Sequence, residues 1–150
     1  MINFRTIMMS ELDHRVKNNI AAVRSLVGLS QQSANTVEEF ATSLEGRLHA
    51  LAVAHSTLAK SHWSGAWLRE ILTLTLQPYM SGSENRIQFN GPDIELHGIL
   101  ARPMCMVIHE LATNAVKHGA LSNDTGMVNI DIEEVQYGEG CSITWQEVNG

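Results

Sequence analysis

Three polar residues at spacings of four and three could carry phosphate chemistry: Glu110, Asn114 and Lys117. On a helix these spacings place them along one stripe, beside an apolar face that contains Ile108 and Leu111. An asparagine oxygen can bind Mg²⁺, which takes its other ligands from water and phosphate groups. Glu110 could order that water, and Lys117 could neutralise phosphate charge. The alternative interpretation is an amphipathic helix with an ordinary polar edge.

His14 is a second candidate, close to the start of the chain. On a helix it lies about 200° around the axis from Leu12, so its imidazole is predicted to face solvent. Glu11 and Asn18 are neighbours on the same face, three and four residues away. A carboxylate that holds one ring nitrogen leaves the other free to act as a nucleophile. The alternative is a solvated helix face that contains a histidine with no reactive role.

Glu147 lies at the end of an alternating segment near the C-terminus. It shares a strand face with Ile143 and Trp145, so its carboxylate is expected to point towards the buried layer. A carboxylate in that position needs a hydrogen-bond partner. The amino group of an adenine would be one such partner, and a backbone amide is the alternative.

Two helices are predicted in the first part of the chain. Apolar residues recur at spacings of three and four over residues 4–29, with Asn19 in one such position; they are Met9, Leu12, Val16, Val23 and Leu26. Thr36 and Glu39 form a capping box that begins a second helix. Its expected stripe is Phe40, Leu44, Leu48, Leu51, His55 and Leu58.

These two helices are predicted to form an antiparallel hairpin over residues 1–62. Each helix has a wide apolar face, and a single hairpin buries little of it. Two copies that form a four-helix bundle would bury more, so we expect a homodimer.

Residues 63–150 are predicted to form a second domain after a linker at residues 61–66. One helix is expected to end near Pro78. A second is expected to run from Pro103 to Gly119, because proline suits the first helical position and glycine suits the position after the end. Alternation predicts strands near residues 87–89, 128–132 and 143–147. The fold class is therefore α+β, with helices packed on a mostly antiparallel sheet.

Composition excludes some classes of function. The 150-residue chain has a net charge of −6, which argues against a nucleic-acid partner. Its apolar stretches are far shorter than the roughly 20 residues that span a bilayer. The first residues lack the pattern of a signal peptide. We therefore expect a cytoplasmic segment without membrane contact.

Three segments together resemble the HWE subfamily of sensor histidine kinases in two-component systems. Residues 11–18 are similar to its Glu-x-x-His-Arg-x-x-Asn phosphoacceptor box, and residues 109–115 to its His-Glu-Leu-x-x-Asn-Ala box. Residues 145–147 match its Trp-x-Glu strand. The resemblance covers nearly the whole chain.

The resemblance implies a dimerisation and phosphotransfer hairpin followed by an ATP-binding sandwich of the GHKL or Bergerat type. By motif position, His14 would accept the γ-phosphate of ATP, with Glu11 and Asn18 as its neighbours in the catalytic box. The residues implied in cofactor binding are Glu110, Asn114, Lys117 and Glu147. Among them Asn114 would hold Mg²⁺ and Glu147 would take the adenine-binding place. The phosphoryl group would then pass to an aspartate of a response-regulator receiver domain.

The sequence departs from the family pattern in two places. Asn149 stands where the family usually has glycine, although asparagine tolerates a left-handed backbone better than most residues. The sequence ends at Gly150, where family members continue with a lid and further strands. The resemblance therefore implies an incomplete, C-terminally truncated catalytic domain.

Two other functions are consistent with these motifs. One is a non-catalytic phosphotransfer or docking module whose ATP-binding domain is degenerate. The other is a purely structural dimerisation module, which would have no need of His14. Glu110, Asn114 and Glu147 favour the kinase, because a relay does not require them.

Overall fold

The computed structural model describes residues 4–80, 86–135 and 140–150, with side chains described from Met9 onward. The chain forms two compact units, Met1–Leu48 and His49–Gly150. The division between them falls inside a helix. The predicted domains, residues 1–62 and 63–150, are defined by function and not by compactness, and the boundary between them stays a prediction.

Helices α1 (Phe4–Gln32) and α2 (Val37–Lys60) follow the predicted pattern. The Thr36 Oγ1 accepts a hydrogen bond from Glu39 N at 3.1 Å, and Glu39 Oε2 accepts one from Asn35 N at 2.7 Å. These bonds satisfy amide groups that have no partner within the helix. The capping box predicted from Thr36 and Glu39 is confirmed.

Arg47 joins the two helices close to the turn between them. Its Nη1 donates to the hydroxyl groups of Ser30 at 3.0 Å, Ser33 at 3.3 Å and Ser43 at 2.5 Å. The arginine is only 8% exposed, so these hydroxyls replace the water that its charge would otherwise bind. A polar cluster therefore holds the hairpin together at its closed end.

The apolar seam of α1 is exposed along most of its length in this chain. Met9, Leu12, Val16 and Val23 are exposed, and Leu26 is buried. Exposed apolar side chains at regular helical spacing form a surface suited to a partner helix.

The second unit contains the remaining elements: β1 (Gly65–Trp67), α3 (Leu68–Met80), β2 (Ile87–Asn90), β3 (Glu95–His97), α4 (Gly98–His118), a 3₁₀ turn (Ala120–Ser122), β4 (Met127–Glu134) and β5 (Cys141–Val148). In the described residues β1 pairs with β3, and β2, β4 and β5 form a three-stranded sheet in that order. The β2–β4 pair is parallel and the others are antiparallel. The α+β class is confirmed.

Two predicted boundaries were wrong. The segment taken as a linker contains β1, which pairs with β3. Helix α4 begins at Gly98, not at Pro103, because the His97 side chain caps it by accepting from Ile99 N at 3.4 Å. Pro103 therefore lies inside the helix, where it leaves the Ile99 carbonyl without a helical partner.

The predicted stripe of α2 is confirmed at Leu58 but wrong at Leu48 and His55, which are exposed. The buried side chains in the second half of α2 are Ala50, Val53, Ala54, Thr57 and Leu58. His55, expected on the packed stripe, is exposed and meets the Trp63 ring edge-on at a centroid distance of 5.0 Å.

The core lies in the second unit. Its largest fully buried side chains come from α3 and β4: Leu68, Ile71, Leu72, Leu76, Val128, Ile130 and Ile132. The alternation predicted for β4 is therefore confirmed, with Val128, Ile130 and Ile132 inside. In the described part of the chain, no helix has both the length and the apolar character needed to cross a membrane.

Gly91 ends β2 in a conformation that demands glycine. Its φ is +99°, and an added Cβ would overlap the carbonyl oxygen of Ile132. We expect Gly91→Ala to lower the free energy of unfolding by about 1–3 kcal/mol from backbone strain alone. Urea denaturation would measure this loss. In Gly140→Ala the added Cβ meets no atom of the described residues within 4 Å, so an equal loss in that control would contradict the explanation.

Candidate active site

Helix α4 separates a buried apolar stripe from a polar edge. The buried stripe consists of Ala101, Cys105, Ile108, Ala112 and Ala115. Beside it, Glu110 is half-buried and both Asn114 and Lys117 are exposed. The structure therefore places all three predicted residues together along one accessible edge, spanning two turns of the helix.

The inner side of this edge is joined to α3 by Tyr79. The Tyr79 Oη lies 2.8 Å from His109 Nδ1 and 3.1 Å from Thr113 Oγ1. His109 is buried, and a buried imidazole needs hydrogen-bond partners. The two rings are inclined by 47°, with their centroids 6.1 Å apart.

Tyr79 keeps its proton near neutral pH. Burial raises the pKa of the phenol above its ordinary value, and the Glu110 carboxylate raises it further, whereas the hydrogen bond with Thr113 opposes the rise. The protonated hydroxyl can both donate and accept, as its two partners require. The effect of Glu110 on this pKa also indicates that its carboxylate lies close to the phenol.

Glu147 occupies a position that differs from the predicted one. Its residue is exposed, and its carboxylate points to the C-terminal end of α4. Oε2 accepts a hydrogen bond from Ala120 N at 2.7 Å, and Oε1 accepts one from Trp145 Nε1 at 3.1 Å. The prediction of a buried carboxylate is wrong, and the backbone-amide alternative describes the observed bond.

The loop after α4 is held so that Ala120 N meets this carboxylate. Arg86 Nε donates to Gly126 O at 2.7 Å, and its Nη2 donates to Ala120 O at 2.9 Å and to Asn123 O. Asn123 Oδ1 accepts from the amides of Thr125 and Gly126 at 2.9 and 2.7 Å. Side chains therefore satisfy the backbone of a loop that has little regular structure of its own.

Asn149 joins the same loop. Asn123 Nδ2 donates to Asn149 O at 2.9 Å, and Asn149 has a φ of +58°. The left-handed backbone expected at this position is therefore present with asparagine in place of glycine.

In the first unit, His14 is exposed as predicted, but its neighbours differ in role. Glu11 Oε1 pairs with Arg15 Nε at 3.0 Å, and the ring Nδ1 of His14 lies 3.2 Å from the side-chain amide of Asn18. The asparagine, rather than the glutamate, contacts the imidazole. The expectation that a carboxylate holds the ring is wrong for this structure.

Sequence reasoning missed Tyr79 and Arg86. Tyr79 is 30 residues from His109, and Arg86 is 34 residues from Ala120, so no local periodicity could connect them. The bond between Trp145 and Glu147 could have been predicted from the sequence, because residues two apart on a strand share a face.

Comparison with known proteins agrees with this arrangement of motifs. The family described as HWE histidine kinase matches residues 11–93, which is more than half of the chain. A blue-light-activated histidine kinase from Rhizobium johnstonii is 38% identical over 141 residues, 94% of this chain and 39% of that protein. Proteins of the same name from Brucella ovis and Brucella canis are each 34% identical over 148 residues, 97% of this chain and 30% of theirs.

The chain therefore belongs to the HWE histidine kinase family. It spans about a third of the length of the curated relatives that it matches.

Gly119 provides a test of the Glu147 bond. A Cβ at this position would overlap Glu147 Oε2, so Gly119→Ala should lower the free energy of unfolding by about 1–3 kcal/mol, as overpacking does. In a Glu147→Ala background the nearest obstacle is gone and the Ala115 Cα remains 3.0 Å from the added Cβ, so the same change should cost less. Urea denaturation of the four proteins measures the coupling. Equal costs in both backgrounds would contradict it.

Proposed function

We propose that this chain is the phosphotransfer and nucleotide-binding core of a cytoplasmic histidine kinase. It takes the γ-phosphoryl group of Mg-ATP onto His14 and passes it to an aspartate of a response-regulator receiver domain. The observation that carries the proposal is the shared edge of α4. Glu110, Asn114 and Lys117 lie there together and accessible, in a chain that belongs to this family.

The side chains on this edge suit a magnesium–nucleotide complex. Asn114 offers the neutral oxygen that Mg²⁺ accepts, and Glu110 can orient water bound to the ion. Lys117, in the last turn of α4, supplies positive charge for the phosphates. When bound, Mg²⁺ neutralises charge on the phosphate oxygens as the γ-phosphoryl group leaves. The contribution of the protein is then mainly to position the reactants.

Glu147 is the proposed partner of the adenine amino group. Its two oxygens each accept one hydrogen bond in the structure. A carboxylate has about four acceptor sites, so capacity remains for a further donor. Its existing bonds hold the carboxylate beside the end of α4. In the proposed fold, α3, α4 and the three-stranded sheet form part of a Bergerat-type ATP-binding sandwich.

His14 is the proposed nucleophile, and Asn18 is proposed to set its tautomer. Attack by Nε2 requires the ring proton to be on Nδ1. In the structure the Asn18 Nδ2 lies 3.2 Å from Nδ1, and a 180° turn of the amide group would instead present its oxygen to Nδ1–H and support that form. Glu11 is proposed to act indirectly, through its ion pair with Arg15.

Phosphorylation with radiolabelled Mg-ATP tests the proposal. The wild-type protein should acquire a label that is stable in base and labile in acid, and His14→Ala should acquire none. Asn114→Ala should lose the label too, because it removes the proposed magnesium ligand. It should also lose the rise in melting temperature that Mg-ATP gives the wild type.

A matched control is His62→Ala, because His62 is another exposed histidine and lies outside α4. That variant should be labelled as well as the wild type. Label that persists in His14→Ala would contradict the assignment of the acceptor. A wild-type protein that neither binds nor uses Mg-ATP, yet accepts phosphate from a phosphorylated receiver domain, would favour the phosphotransfer module.

The exposed seam of α1 is proposed to bind the same helix pair in a second copy of the chain. The exposed apolar side chains need a cover, and a four-helix bundle provides one. Leu12→Asp together with Val16→Asp should therefore shift the protein from dimer to monomer, measured by light scattering on a sizing column.

The control for this change is Ala21→Asp. Ala21 is exposed and lies seven residues after His14, on the face opposite the seam. It should leave the dimer intact. Equal dissociation by both changes would contradict the seam as the interface, and a monomeric wild type would contradict the dimer.

A further inference from the structure

Tyr79 bonds to two successive turns of α4 from the neighbouring helix α3. Its two partners, His109 and Thr113, are four residues apart. Each partner immediately precedes a residue of the proposed magnesium site, since Glu110 follows His109 and Asn114 follows Thr113. One hydroxyl group therefore binds two side chains on the inner side of α4, directly beside the edge that carries the proposed chemistry.

We infer that Tyr79 is a positioning residue for magnesium and nucleotide, which fixes the direction in which Glu110 and Asn114 project from α4. This inference rests on the proposed function of the same site.

The physical reason is the sensitivity of such a site to helix rotation. Glu110 and Asn114 project from the same helix, so a small rotation of α4 about its axis displaces the oxygen atoms of both side chains. Functional groups must be held within about 0.5 Å and 10–20° of their working geometry. The apolar stripe of α4 restricts its position but is built partly from alanine, whose short side chain interlocks little. A directional bond at Tyr79 supplies the missing constraint.

The three groups also satisfy one another in either direction of hydrogen bonding. Tyr79 can donate to His109 Nδ1 while it accepts from the Thr113 hydroxyl, or accept from Nδ1–H while it donates to Thr113. Phenylalanine at position 79 would fill nearly the same volume without either bond. The hydroxyl group can therefore be tested separately from the packing of the ring.

The experiment compares Tyr79→Phe with Thr73→Val in the intact protein. Thr73 is an exposed residue of the same helix, and its hydroxyl donates to Arg69 O at 2.8 Å, so the control also removes one hydroxyl. ATP binding is measured by calorimetry at a series of Mg²⁺ concentrations. Loss of a residue that orients a metal ligand typically weakens metal affinity by about 10- to 100-fold.

We expect Tyr79→Phe to raise the Mg²⁺ concentration at half-maximal ATP binding by at least about tenfold, while ATP binding without Mg²⁺ and the circular dichroism spectrum stay unchanged. Thr73→Val should change neither quantity. A simple loss of stability would not alter the magnesium dependence alone. Thr113→Val provides a second variant, and combining it with Tyr79→Phe should add nothing, because Tyr79→Phe already removes the bond to Thr113 together with the bond to His109.

Two results overturn the inference, and they can be told apart. If the wild type binds Mg-ATP and both Tyr79→Phe and Thr113→Val keep its magnesium dependence, Tyr79 has no positioning role and the proposed function stands. If the wild type does not bind Mg-ATP at all, the proposed function fails and the inference fails with it.

Discussion

The candidate site depends on the burial of one stripe of α4. Its small side chains, among them Ala101, Cys105, Ala112 and Ala115, are fully buried. A rotation of the helix by one residue would move this stripe out of the core and push Glu110 or Asn114 into it. Burial of an unpaired carboxylate or amide costs several kcal/mol (about 2–7 for an amide), so the core itself opposes that rotation. The accessibility of the polar edge is thus a consequence of what lies on the opposite side of the helix.

The C-terminal end of α4 is positioned by different forces. Directional hydrogen bonds from Arg86 and Glu147 hold the loop there, and they reach it from β2's start and from β5. Gly119 is required by space rather than by its backbone angles, because its φ of −121° is open to any residue. The carboxylate of Glu147 lies where a Cβ would be. Trp145, two residues earlier on the same strand face, bonds to the other oxygen of that carboxylate, which gives the Trp-x-Glu spacing a physical reason.

The buried faces of β4 and α4 were predictable from the sequence, and side-chain bonds over long separations were not. Val128, Ile130 and Ile132 alternate with polar residues, so the buried face of β4 followed directly from the period of a strand. The edge formed by Glu110 and Asn114 followed from the period of a helix. Tyr79 and Arg86 could not be found in this way, because their partners are brought near only by the fold. The start of α4 was missed since His97 is an uncommon cap, whereas Pro103 is a common first residue.

The structure also changes which residues distinguish the kinase hypothesis from the phosphotransfer-module hypothesis. In the sequence, Glu147 favoured the kinase together with Glu110 and Asn114, because a relay does not require these residues. Its bonds to Ala120 and Trp145 give it a structural role that either protein could need. The argument for a kinase therefore depends on Glu110 and Asn114.

Asn114 is exposed, and Glu110 is half-buried beside the Tyr79 hydroxyl. A relay of phosphate between receiver domains gains nothing from the arrangement of Glu110 and Asn114 along one accessible edge of α4. A magnesium site does gain from it, since a carboxylate and an amide oxygen held one turn apart are what the ion and its water require. That shared edge of α4 is thus the feature that the proposed kinase explains and the relay does not.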